Sequence, residues 1–297
     1  MRNYNNIVVH CKVVTFADCC YKKKIVGAMK ILIIFAALAA VTFADKRCHG
    51  VYIDNRYYNL EIVKEGINNL HDLVINRNDN SVYFTYDDLD KTLSRRVAHF
   101  DLNTKKATVI DGIRNATALA VDQFYGKVYV GGMDGLYKIN DLKAERLPLH
   151  DEVISMHFKE VLYFINGNKE AFKFEDGHAT PVSELRGVKI DRLVINDDDN
   201  IFFTDNQMLY RVKLGTRAIN THEKLNVNAI ATDAYSRTFI CTKDGLYMYN
   251  KYKFVFDKMA DLRNLKAITF NKMNDPIYAA NDLLVKLTTS SIGCYED

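Results

Sequence analysis

The sequence predicts an all-β chain folded as a six-bladed β-propeller, with an N-terminal strand completing the last blade. Three observations carry this prediction. A strand-turn-strand pattern recurs six times at near-constant spacing, a third alternating apolar run follows each copy, and a strand-like segment precedes the first copy where the sixth lacks its outer strand. Repeats of about 20 to 50 residues built from several short strands are the signature of a radial β architecture.

The six copies are 71–87, 117–132, 154–166, 191–206, 228–243 and 266–281, each a short strand, a polar turn and a second strand. Their equivalent apolar residues are Leu73, Leu119, Met156, Leu193, Ile230 and Ile268, separated by 46, 37, 37, 37 and 38 residues. The third runs are VAHFDL (97–102), GLYKIN (135–140), EAFKFE (170–175), MLYRVK (208–213), GLYMYN (245–250) and LLVKLT (283–288). Period-two alternation sends neighbouring side chains to opposite faces of a strand, so each run buries one face against an adjacent sheet. Variable outer strands are expected to follow, for example at 106–112, 217–223 and 253–258. The segment YYNLEIV (57–63) is free to act as the outer strand of the sixth blade, which closes the ring. A seven-bladed count or an open β-solenoid is the structural alternative, weakened by the near-constant register and the matching ends.

Ahead of the repeats, Lys30 is followed by an apolar run and then by small residues at Thr42 and Ala44. This is the pattern of a secretory signal over 29–44 cleaved before Asp45. The run is shorter than the about 20 apolar residues that a bilayer span requires. Residues 1–28 make a long front end for a signal, so translation from Met29 is expected; a membrane-anchored N-terminal extension is the alternative. The mature domain is then 45–297, a secreted extracellular product with no membrane partner.

Cleavage changes the charge. The whole chain carries 40 Lys and Arg against 37 Asp and Glu, a net +3. Six of the bases and one acid lie in 1–44, which leaves 34 against 36 and a net charge of -2. Neither value argues for a nucleic-acid partner. With 48% hydrophobic residues, three Pro and no Trp, the composition is that of a folded chain and excludes collagen-like and disordered classes. Cys11, Cys19 and Cys20 also leave, and Cys48, Cys241 and Cys294 remain. In an oxidising compartment the simplest reading is a Cys48 to Cys294 bridge across the propeller seam, with Cys241 buried and free. A bridge closing so long a loop contributes about 4 to 5 kcal/mol by chain-entropy reasoning. An odd thiol pairing between two chains is the alternative.

Innermost strands of a propeller surround an axial channel, and the residues that open them are candidates for binding. Two positions before the shared apolar residue stand His71, Thr117, Ile154, Asp191, Asn228 and Lys266; one position before stand Asp72, Ala118, Ser155, Arg192, Ala229 and Ala267. These rings are chemically mixed, which suits an asymmetric pocket for a small polar ligand with anionic or hydrogen-bonding groups. The competing reading is that such residues satisfy strand ends and water. Asp191, Asn228 and His71 could supply three metal ligands, but Lys266 and Arg192 oppose a cation site, so no metal and no cofactor are expected. The acidic run 197–199 and the turn residues Asp79, Asp122, Asp233 and Asp275 read as hairpin chemistry.

No G-x-S-x-G, H-E-x-x-H, P-loop or paired-cysteine motif is present, and hydrolysis by His71 or His157 with Asp191 has no specific support, so no catalytic residue is expected. Asn115-Ala116-Thr117 is an N-glycosylation acceptor at the opening of an inner strand. The scattered Met, and Tyr such as Tyr83, Tyr129, Tyr163 and Tyr247, read as filling between blades.

The N-terminal run DKRCHGVYIDNRYYNLEIVKEGINNLHDLVINRNDNSVYFTY, the repeated D-G-L-Y at 134–137 and 244–247, and the ending at Cys294 resemble the ommochrome-binding proteins of lepidopteran insects. The resemblance extends over 29–297. It implies a secreted haemolymph carrier, not an enzyme, that binds ommochromes, the tryptophan-derived phenoxazinone pigments, or their precursors. Such planar, carboxylate-bearing ligands would set Arg192 or Lys266 against the acid groups and His71, Asn228 or Asp191 against ring and amino functions. A calcium-dependent lactonase or esterase and an extracellular protein-interaction propeller are the two alternatives from other classes.

Overall fold

A computed structural model describes residues 50–89 and 94–291. Among the described residues, twenty-four strands fall into six antiparallel blades arranged as the repeats require. Blade one is β3 (Asp72–Asn76), β4 (Ser81–Asp87), β5 (Arg95–Asp101) and β6 (Lys106–Ile110). Blade two is β7 (Ala118–Asp122), β8 (Lys127–Gly132), β9 (Gly135–Asn140) and β10 (Lys143–Arg146), and blade three is β11 (Val153–Lys159), β12 (Val161–Asn166), β13 (Ala171–Glu175) and β14 (His178–Pro181). Blade four is β15 (Arg192–Ile195), β16 (Asn200–Asp205), β17 (Met208–Lys213) and the first part of β18 (Asn220–Thr232). The same β18 continues past a register shift at Val227/Ala229 to become the inner strand of blade five, followed by β19 (Thr238–Thr242), β20 (Gly245–Asn250) and β21 (Val255–Ala260). The outer strand anticipated at 217–223 thus starts at Asn220 and runs straight into the next blade, because no turn signal separates the two.

Blade six has five strands. Its inner three are β22 (Ala267–Phe270), β23 (Pro276–Ala280) and β24 (Leu283–Thr289). The N-terminal β2 (Arg56–Lys64) pairs antiparallel with β24, Leu60 opposite Leu287, and closes the ring as expected. A further strand not foreseen in the sequence, β1 (Gly50–Ile53), forms a hairpin on β2. Its turn reaches blade five, where the Asp54 N–H donates to the Met259 carbonyl at 3.0 Å.

Alternation in the strands produces a core divided among the seams. Six clusters of buried side chains each join two adjacent blades, as where Leu73, Phe84 and Ala98 of blade one meet Ile277 and Leu284 of blade six. Every blade therefore buries both faces against neighbours, and each fully buried Phe or Leu is worth about 1.5 to 3 kcal/mol. Cys241 is free and buried in the seam between blades five and six, where burial pushes its thiol up to about 12. The signal segment 29–44, residues 1–28, and both Cys48 and Cys294 lie outside the described residues. No helix among the described residues is long and apolar enough to cross a membrane.

The D-G-L-Y repeat has a local cause. Gly135 (φ 135°) and Gly245 (φ 149°) open equivalent third strands, and a Cβ on either would meet the carbonyl oxygen of Leu149 or Ala260 at 2.1 and 2.4 Å. Only glycine admits the outer segment this close.

Candidate ligand cavity

The six inner strands enclose a cavity of about 610 Å³, within the range of small-molecule sites. Its wall includes Thr117, Ile154, Arg192 and the neighbouring Asp72, but not His71, Asp191, Asn228 or Lys266. At its other end it extends past the inner strands to Gln123, Phe124, Tyr125, Glu160 and Ser236 in the turns that join first and second strands. The cavity thus reaches the hairpin face, opposite the face where the inner strands begin.

Two charges meet in the wall. Asp72 opens β3, and its carboxylate accepts hydrogen bonds from the Leu119 N–H at 2.8 Å and the Leu73 N–H at 2.9 Å. Burial raises its protonation range, opposed next by the positive charge of Arg192. Arg192 comes from β15, three blades around the ring, and is half-buried. Among the described residues its side chain makes no hydrogen bond, and no carboxylate lies within 4 Å of its guanidinium. His157, on β11, also lines the cavity; burial lowers it to about 4, against a backbone hydrogen bond with Ile195, so its imidazole is neutral at physiological pH. Among the described residues the cavity therefore presents a guanidinium with no ion-pair partner, in a wall that mixes apolar residues such as Ala120, Ile154, Met156 and Ile230 with polar ones such as Asp72, Thr117, Ser155 and His157.

The residues outside the wall sit around the strand-start face and are engaged with one another. His71 Nε2 pairs with Asp87 at 2.7 Å, and Asp87 also accepts from Asn69 at 2.6 Å. Lys266 Nζ donates to Asn69 at 3.0 Å, so these two predicted residues share one cluster at the seam of blades six and one. Asp191 pairs with Lys169 at 2.6 Å and accepts the Asn206 N–H at 2.7 Å in a separate cluster at the seam of blades three and four. Asn228 sits at the bulge of β18, half-buried. Thr117 lines the cavity, but its hydroxyl donates to the Val153 carbonyl, which joins blades two and three. Asn115 is half-buried with φ 50°, and its side-chain oxygen accepts the Arg95 N–H at 3.2 Å. Among the described residues no three His, Cys, Asp or Glu converge on a metal position. His71, Asp191 and Asn228 belong to three different blades, and the first two carry ionic partners, a donor arrangement that does not fit a calcium site.

One regularity went unread in the sequence. Three residues after each shared apolar position come Asn76, Asp122, Lys159, Asn196, Asp233 and Asn271. Five of the six cap their turn by accepting the N–H two residues on, at 2.9 to 3.1 Å. Lys159 differs: it spans to the next blade, donating to the Asn196 carbonyl at 2.7 Å. The hairpin turns are then stitched into a collar. Arg77 reaches the Phe270 carbonyl at 3.0 Å, Gln123 the Ile75 carbonyl at 2.7 Å, the Asp197 N–H the Ser236 carbonyl at 3.0 Å, and the Ala234 N–H Asn274 at 2.8 Å. The run 197–199 belongs to the same chemistry, with Asp199 on Lys159 and Asp197 and Asp198 on Lys251.

No family model matches the sequence. The chain is 24% identical over 272 residues to the ommochrome-binding protein of Manduca sexta, a match spanning 87% of this chain and 98% of that protein. Among solved structures, the WD40 propeller domain of Doa1 superposes with TM-score 0.58 at 14% identity, over 82% of this chain and 98% of that one. A gluconolactonase from Xanthomonas campestris gives 0.60 at 10% identity, covering 82% and 96%. The calcium-binding protein regucalcin from Agrobacterium tumefaciens gives 0.60 at 14%, covering 78% and 94%. The expectation that the chain is not an enzyme is overturned by this comparison. A gluconolactonase carries the same propeller, so missing hydrolase motifs are no ground for excluding turnover. The chain is a six-bladed β-propeller with distant homology to an insect ommochrome-binding protein, in a fold shared by enzyme-like and scaffold-like propellers.

Proposed function

We propose that the protein is an extracellular binder of small, planar, carboxylate-bearing molecules of the ommochrome class or their precursors, held in the central cavity. The observation that supports this most is the Arg192 guanidinium, half-buried in a wall of mixed apolar and polar residues and without an ion-pair or hydrogen-bond partner among the described residues. A guanidinium offers two parallel donors to a carboxylate, and apolar walls take up the flat ring system. The end-to-end match to the Manduca sexta protein supports the ligand class, and the signal pattern over 29–44 supports secretion into haemolymph. In this reading Thr117 borders the ligand, while His71, Asp191, Asn228 and Lys266 stand on the strand-start rim, outside the cavity wall.

The test is to purify the secreted protein, record its visible absorption, and identify any retained small molecule by mass. Arg192→Met is expected to lose pigment affinity at least tenfold, whereas Lys266→Met changes it little. A colourless product that also fails to bind added pigment overturns the reading.

A second reading, turnover in the same cavity, is supported by Asp72 and His157, two groups with shifted protonation lining one cleft. It predicts hydrolysis of an aromatic lactone, in which water adds across the ester bond to give a hydroxy acid. Mass analysis of lactones incubated with the protein and with Asp72→Asn separates this from binding alone.

A further inference from the structure

A second cavity, of about 450 Å³, lies between the outer parts of blades four and five on the hairpin face and shares no lining residue with the central one. Arg211 on β17 is its centre. The guanidinium carbon stands 5.6 Å from the Tyr249 ring and 5.3 Å from the Phe254 ring, and the group donates to the Tyr249 hydroxyl. Among the described residues no carboxylate lies within 4 Å of Arg211, and the ammonium of neighbouring Lys213 has neither ion pair nor hydrogen bond. The one carboxylate of the wall, Asp198, is engaged by Lys251 at 3.3 Å. The groove therefore holds two unpaired cations flanked by aromatic faces.

The placement of Phe254 is specific to this blade. It closes the β20–β21 turn at φ 57°, its N–H donating to the Asn250 carbonyl at 2.8 Å. Blade one closes the same turn with Lys105 at φ 59°, donating to Asp101 at 2.8 Å. The turn itself thus has no need of an aromatic residue, and a left-handed backbone is unfavourable for any residue but glycine. That conformation aims the Phe254 ring over Arg211 and leaves it 61% exposed beside Tyr252, 86% exposed. Strain of this kind, held where it presents a side chain to an open groove, accompanies binding sites.

The geometry points to a second ligand site on this groove, for a small planar aromatic carboxylate. The acid group lies on Arg211 and Lys213, and the ring stacks on Phe254 and Tyr252. An inorganic anion would leave the aromatic faces unused, and a neutral ring would leave two cations without a partner. The inference stands apart from the central cavity, because none of its residues depends on Arg192.

Calorimetric titration of the secreted protein with 4-hydroxyquinoline-2-carboxylate tests it, with 4-hydroxyquinoline and inorganic phosphate as comparison probes. The Arg192→Met protein is expected to keep one binding equivalent of the acid. Arg211→Met should then weaken that event at least tenfold. Phe254→Gly should weaken it about fivefold while raising the thermal midpoint, because glycine relieves the backbone, so loss of binding is not loss of fold. Both variants should leave pigment binding in the central cavity unchanged. The inference is overturned if Arg192→Met abolishes all binding of the acid, if Arg211→Met and Phe254→Gly bind it as the parent does, or if phosphate or 4-hydroxyquinoline binds as tightly.

Discussion

Arg192 on β15 and Asp72 on β3 act on each other from opposite blades of the ring, the guanidinium lowering the protonation range of a carboxylate that burial raises. The pair is not in ion-pair contact, which leaves room between the two for a ligand. Removing the cation should therefore change two observables together. In Arg192→Met the Asp72 carboxyl titrates higher still, readable by carboxyl ¹³C shifts against pH, and affinity for an acidic ligand falls. If the Asp72 titration is unmoved, the two groups do not share a cavity.

Acid should destabilise the protein well above the carboxylate range. His71, His99, His157 and His222 are all lowered by burial, and His157 reaches about 4. Between that value and the ordinary 6.5 the unfolded chain binds more protons, so folding stability rises with pH across the window and is lost as pH falls through it. His157 alone sets a ceiling of about 3 kcal/mol, reduced by whatever water the cavity admits. Asp72 works in the opposite sense just above the ordinary Asp range, because its folded carboxyl holds its proton longer. Urea unfolding at pH 7.5 and pH 5.0 should show the loss, and His157→Gln should shrink it. An unchanged pH difference in that variant removes His157 from the account.

Gly245→Ala should cost about 1 to 3 kcal/mol, since its Cβ would press on the Ala260 carbonyl at 2.4 Å and the backbone is left-handed. Gly135→Ala should behave alike against Leu149. Alanine at Gly66, where φ is 71° but nothing lies within 4 Å, should cost less. Chemical denaturation of the three variants ranks them; a Gly66 effect as large as that of Gly245 contradicts the steric argument.

The closing strand offers a paired comparison. Leu60 on β2 and Leu287 on β24 stand opposite each other in register, yet Leu287 is fully buried and Leu60 is 41% exposed. Leu287→Ala should cost about 2 to 5 kcal/mol, and Leu60→Ala about 0.5 kcal/mol. Equal losses would mean that closure depends on the outer strand as much as on the inner three.

Strand order, blade number and ring closure were legible because the apolar period and the 37-residue spacing are properties of the chain itself, and each blade repeats them. The third strands at 135–140, 208–213 and 245–250 coincide with β9, β17 and β20. The five-stranded sixth blade was not legible, because β1 is four residues long and gains its stability from blade five. Nor was the continuous β18, whose division between two blades depends on a bulge.

The candidate site divides the same way. Sequence alone determined which residues open the inner strands, since that follows from alignment of the repeats, and it included Arg192 and Thr117. Only the tertiary structure decided which of these line the cavity and which cations find partners there. His71, Asp191 and Lys266 were taken up by Asp87, Lys169 and Asn69 across 16, 22 and 197 residues of chain. Among the described residues, Arg192 and Arg211 were left with no carboxylate in ion-pair contact. Pairing of charges depends on distances set by blade packing, and no one-dimensional pattern encodes those distances.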